Sequence, residues 1–161
     1  MDGTTVWQSG VSKLKWAEVT PEFVYEVATH LREEDQEEVM LSDHISGYDA
    51  CAQSWAMSDI CNGIATDDGT PVGLCGLNGD RIWLLATPEL TATRKRRLQL
   101  CREGRGWVEH CVKTAGRRIG NDVYSKNFES IKWLKALGFT VEEPRPIGIS
   151  GALFSSFWRE P

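Results

Sequence analysis

The sequence predicts an α+β fold: a mixed central sheet of about seven strands flanked by about four helices. Three observations carry this expectation. A chain of 161 residues can close one hydrophobic core and is too short for two. Residues 62–86 change from helical to strand periodicity and are cut by Asp67-Asp68-Gly69 and Asn78-Gly79-Asp80, strong hairpin signals. The C-terminal third then alternates strand and helix patterns, as a sheet with crossover helices requires. The whole of 1–161 is expected to form a single domain.

Taken in order, Lys13 to Ala17 alternates polar and apolar residues and reads as a first strand. Thr20-Pro21-Glu22 opens a helix running to about Leu31, with Thr as N-cap, Pro at the first position and an acid at the positive end of the dipole. The acidic run Arg32 to Val39 reads as solvated helix surface. His44 falls in a connection, and Tyr48 to Met57 forms a second short helix with Cys51, Trp55 and Ser58 at helical spacing. The meander Asn62–Thr66, Val72–Leu77 and Arg81–Ala86 follows. Residues 93–114 form a long helix weakened in its middle by Gly104 and Gly106. Ile119–Tyr124 is a strand, Phe128–Leu137 a helix, and Thr140–Glu142 and Ala152–Trp158 are the last strands.

No run of about 18 apolar residues offers a membrane span, and Met-Asp-Gly-Thr-Thr at the start lacks the pattern of a secretory signal. Five cysteines, odd in number and without a Cys-x-x-Cys pair, read as reduced structural thiols, with no metal site expected. The formal charge of -5 conceals a polarity: residues 1–80 carry fifteen acids against three Lys or Arg, and residues 81–161 carry eight against fifteen. The basic half either attracts the acidic half or presents an anion site. A pI near 5.2 and no interleaving of aromatic and basic residues argue against nucleic acid as the main ligand.

Residues 121–139 read as a strand end, an Asn at a helix start, an amphipathic helix, and a Gly138-Phe139 stop. Together with the element order, this segment resembles the GNAT fold of acetyl-CoA-dependent N-acetyltransferases over nearly the whole chain. Asp68 to Val72, Ile82 to Thr87, Asn127 with Ile131 to Leu134, and Gly151 to Phe157 are similar to the GNAT-like proteins of tailed, short-tailed bacteriophages. That resemblance implies other phage virion proteins as partners, with self-association as a further expectation, and location in the host cytoplasm or the virion.

The resemblance also implies where acetyl-CoA would bind. The family loop after the fourth strand is glycine-rich, so that backbone N–H groups reach the pyrophosphate. Here Thr87 to Arg97 contains no glycine, and Pro88 removes a donor. Thr91, Thr93, Arg94 and Lys95 are the substitutes able to hold phosphate. Asn127 occupies the family's cofactor-contacting position, and helix capping accounts for it equally well. The family's acid, a Tyr seven residues later, is Leu134 in this chain. Glu89 and Tyr124 are the weak catalytic candidates that remain, with the acidic run 33–38 behind them. Loss of both features points to a non-catalytic binding or structural component of the virion or its assembly; the alternative is an N-acetyltransferase acting on a small amine, a modified base or a protein amine.

Overall fold

A computed structural model describes residues 13–161, so the expectation drawn from the first five residues lies outside the described residues. The elements run β1 (Leu14–Ala17), α1 (Pro21–Thr29), α2 (Glu33–Asp43), α3 (Gly47–Met57), β2 (Ile60–Thr66), β3 (Pro71–Asn78), β4 (Arg81–Ala86), a 3-10 turn (Pro88–Thr91), α4 (Arg94–Ala115), β5 (Ile119–Tyr124), α5 (Phe128–Ala136), β6 (Thr140–Val141), β7 (Arg145–Pro146) and β8 (Leu153–Arg159). The strands form one sheet in the order β1-β2-β3-β4-β5-β8-β6, with β7 also paired to β8. Among the described residues, every pairing is antiparallel except β4 with β5.

The mixed sheet and α+β class are as the sequence predicts, with one helix and one strand more. The added helix is α2, whose acids carry no apolar stripe for periodicity to detect. The added strand is β7, two residues with a proline, which only an edge position tolerates. Local chemistry fixes the other boundaries. Thr20 Oγ1 accepts the Phe23 N–H ahead of Pro21 and so starts α1. Asp68-Gly69 and Asn78-Gly79 turn the two hairpins with Gly69 and Gly79 at φ of 91° and 64°, where a Cβ would be strained.

Two layers of helices cover the sheet. Helices α4 and α5 pack on one face through Val108, Cys111, Leu134 and Leu137 against Leu77, Ile82, Ile119 and Val123. Helices α1 and α3 pack on the other through Phe23, Val27 and Cys51 against Ala65, Leu74 and Leu85. All five cysteines carry free thiols, three of them buried.

The feature that matters for function is where the sheet fails to close. Strands β4 and β5 pair at one point, Arg81 with Gly120, and then diverge. Gly120 is required there, because a Cβ would run into the Phe157 carbonyl of β8.

Candidate functional site

The divergence leaves two strand edges facing one another across a gap. Thr87 N–H donates to Val72 O at 2.9 Å, so the pleat turns the N–H and C=O of Ala86 away from β3 and toward β5. Across the gap, Ser125 N–H donates to Leu153 O at 3.0 Å, so Tyr124 N–H is turned toward β4. Buried edge groups of this kind need partners. Near the closed end, Asn121 Nδ2 donates to Ile82 O at 2.9 Å while its Oδ1 accepts from Arg81 Nη2 at 2.6 Å.

Helix α2 satisfies the open end. Arg32 N–H donates to Ala86 O at 2.9 Å, and Ala86 N–H donates to Asp35 Oδ2 at 2.9 Å. Tyr124 N–H donates to Glu38 Oε1 at 2.8 Å, and Asn127 Nδ2 donates to Glu38 Oε2 at 3.4 Å. Residues 32, 35 and 38 succeed one another at spacings of three, so one side of α2 carries all these contacts. The helix therefore bridges β4 and β5 where their own ladder has stopped.

This corrects the expectation that residues 32–39 are solvated surface. Asp35 is 3% exposed and ion-paired with Arg32 at 2.7 Å. Burial pushes its carboxyl up, and Arg32 and the Ala86 N–H oppose that push. Glu38 has no such cation in contact among the described residues. Burial raises its carboxyl to about 7, against the downward pull of the Tyr124 N–H, with Asp35 adding a further upward push.

Between the strands lies a cleft of about 570 Å³. Asp35 and Glu38 line it together with Gln53 and Ser54 of α3, Leu84 of β4 and Ser130 of α5. Three tryptophans also line it. Trp83 Nε1 donates to Ser58 Oγ at 2.8 Å and Trp107 Nε1 to Asn62 Oδ1 at 2.9 Å. Among the described residues, the buried Nε1 of Trp133 has no protein partner. Among the described residues, four acids line the cleft, Asp35, Glu38, Asp43 and Asp122, against two cations, Arg32 and Arg81.

The residues expected from sequence are distributed unevenly. Thr93, rather than Thr91, caps α4 by accepting the Arg96 N–H, while the Thr91 carbonyl accepts from Arg97. Arg94 and Lys95 are exposed in the first turn of α4. The loop before them is a 3-10 turn anchored by Leu90, which is fully buried. Glu89 lies on that turn against Arg96, with 65% of its side chain exposed, and does not line the cleft. The Tyr124 ring packs on Phe154 at 5.4 Å, so the contribution of this residue is its backbone N–H. Asn127 caps α5, its Oδ1 accepting the Ser130 N–H at 3.4 Å, and its amide reaches Glu38. Leu134, where the family's acid stands, is core. His44 ends α2 in the left-handed conformation at φ 56°.

Parallel strands that splay beside the N-termini of two helices, with a cleft between them, define the class: the fold is that of the GCN5-related N-acetyltransferases. A GCN5-related N-acetyltransferase from Kribbella flavida superposes with a TM-score of 0.63 at 16% identity, over 92% of this chain and 98% of that one. A spermidine N-acetyltransferase from Vibrio cholerae, solved with CoA and spermine, gives 0.63 at 10% identity over 91% and 95%. A Bacillus subtilis acetyltransferase solved with CoA gives 0.58 at 13% identity over 92% and 97%. Identities this low establish the fold alone. No protein-family profile and no curated sequence matches the chain. Nothing in the comparisons links it to tailed bacteriophages or supports the expected virion role.

Proposed function

We propose that this protein is an N-acetyltransferase that moves an acetyl group from acetyl-CoA to a small amine, with Glu38 as the general base. The observation that carries the reading is the Glu38 carboxylate at the lip of the β4–β5 cleft, its pKa raised by burial to about 7. A base with a pKa near the working pH is ionised often enough to act and basic enough to take a proton.

The residues fit the cofactor, by different means at its two ends. The cleft volume lies in the ordinary range for a ligand site. The pleat that turns Ala86 into the gap also turns the N–H and C=O of Leu84, a cleft-lining residue, toward it, and Trp133 Nε1 supplies a free donor. These groups would hold the pantetheine arm. For the phosphates, the exposed Arg94 and Lys95 at the capped start of α4 replace the absent glycine amides with charge. Acetyl-CoA, when bound, supplies an acyl group already activated as a thioester.

The chain does the rest. Acids outnumber cations in the cleft lining, which draws a protonated amine inward. Glu38 accepts the proton that the nitrogen must lose before or as it attacks. Asp35, held by Arg32 and Ala86, keeps α2 and therefore Glu38 in register with the lip. A spermine-bound acetyltransferase among the structures of the same fold supports an amine as the acceptor class.

The test is release of free CoA thiol on incubation with acetyl-CoA and a panel of mono-, di- and polyamines. Turnover near pH 8 is expected, with Glu38→Gln lowering kcat/KM by about 10²–10⁴. Absence of turnover with every amine, in a protein that also shows no thermal shift with acetyl-CoA, would overturn the reading.

A further inference from the structure

Asn127 stands where the GNAT resemblance places a cofactor contact, yet both ends of its side chain are engaged elsewhere. It is 8% exposed. Its Oδ1 accepts the Ser130 N–H and starts α5, and its Nδ2 donates to Glu38 Oε2. The other Glu38 oxygen accepts the Tyr124 N–H. One carboxylate is thus held at both oxygens by groups three residues apart, on the turn from β5 into α5.

We propose that Asn127 is a positioning residue for Glu38, orienting the carboxylate toward the cleft and favouring its ionised form. The proposal rests on the assignment of Glu38 as the base. The physical reason is the polarity of the amide. The cap fixes which end of Asn127 faces Ser130, since only oxygen accepts an N–H. The NH₂ end must then face Glu38, and a donor bonds an ionised carboxylate better than a protonated one. Turning the amide over to accept from a protonated Glu38 would break the cap. Helix start and base are therefore coupled through one side chain.

Among the described residues, few charged groups line the cleft with Glu38, and of these Asp35 and Arg32 act on its carboxyl. Helix α2 brings Arg32, Asp35 and Asp43, β4 brings Arg81, and β5 brings Asp122. Helix α3 contributes Gln53 and Ser54 to the cleft, and α5 contributes Ser130 beside Asn127. None of these groups is on the α5 turn, so changes at position 127 can be read without altering another charge partner.

Two variants separate positioning from capping. Asn127→Ser keeps a capping oxygen and removes the donor; Asn127→Asp keeps a strong cap and places a like charge beside Glu38. Carboxyl NMR titration, with the Glu38 signal assigned by its loss in Glu38→Gln, reads the midpoint without any need for turnover. The expected result is a midpoint raised by about one pH unit in Asn127→Ser and by more in Asn127→Asp. The acid limb of kcat/KM should move by the same amount while KM for acetyl-CoA changes less than twofold. An unmoved midpoint in both variants, or a loss confined to KM for acetyl-CoA, would overturn the proposal and return Asn127 to a cap or a cofactor ligand. A shifted midpoint in a protein that transfers no acetyl group would support the positioning role and remove only the enzymatic reading.

Discussion

At the scale of the residue, the chemistry concentrates on one carboxylate. Glu38 titrates near 7 in the fold and has an ordinary value of 4.5. The folded state therefore holds the proton more tightly than the unfolded chain does. The stability this gives is complete below about pH 4.5 and is lost as pH rises through about 7. Glu38→Gln cannot ionise and escapes that loss. It should be more stable than the parent at pH 8, by up to about 3 kcal/mol, with the gap reduced to less than about 1 kcal/mol at pH 5. Urea unfolding at the two pH values checks this; a gap independent of pH would show that Glu38 is not held in the way described. Glu38 was not legible in the sequence. Within Arg32-Glu33-Glu34-Asp35-Gln36-Glu37-Glu38 nothing local separates a buried acid from a solvated one, because burial is decided by strands more than 80 residues away. The spacing of Arg32, Asp35 and Glu38 along one side of a helix was the available signal. By contrast, Thr20 and Asn127 were legible as caps, since capping involves partners only three residues on.

At the scale of the element, α4 and α5 show how packing alters the meaning of a residue type. Gly104 and Gly106 both read as weak points in a helix, and only one is. A Cβ at Gly104 would lie 3.2 Å from Leu137 Cδ2 and 3.7 Å from Trp133, so this glycine lets α5 approach α4. A Cβ at Gly106 would meet nothing within 4 Å. Gly106→Ala should therefore raise stability by about 0.5–1 kcal/mol, the helix-propensity difference, whereas Gly104→Val should lower it by about 1–3 kcal/mol through overpacking. Thermal unfolding of the two variants distinguishes them, and equal responses would contradict the packing described. Helix α2 is the opposite case, an element that owes little to its own sequence. Without an apolar stripe, it is held by Arg32 and Asp35 on β4 and by Glu38 on β5. Asp35→Ala would leave the Ala86 N–H and the Arg32 guanidinium without their partner, at a cost of about 3–5 kcal/mol. On the proposed reading it should also reduce acetyl transfer, by releasing the helix that carries Glu38.

At the scale of the whole molecule, the charge polarity of the sequence becomes a division of labour. The acidic half supplies α2 and most of the acids of the cleft, and the basic half supplies the exposed start of α4 and the turn at Asn127. On the proposed reading, an amine and a polyphosphate meet from the two sides of one splayed sheet. Acetyl-CoA at a hundredfold excess over its Kd should then stabilise the fold by about 2.7 kcal/mol. The double variant Arg94→Ala, Lys95→Ala should lose most of that effect and keep its unliganded stability, because both side chains are exposed. A full shift retained in the double variant would remove the phosphates from the first turn of α4.

The sequence by itself determined the order of the elements other than α2 and β7, the hairpin turns, most of the caps and the class of fold. Each of these is written in interactions between near neighbours or in periodicity along one segment. Tertiary structure alone decided that β4 and β5 part after a single pairing at Gly120, and that an acid-rich helix bridges the open end of the gap they leave. Backbone groups stranded at a strand edge must find partners, and in this fold those partners are Asp35 and Glu38. Folding thereby removes Glu38 from water and gives a common surface residue the proton affinity of a base.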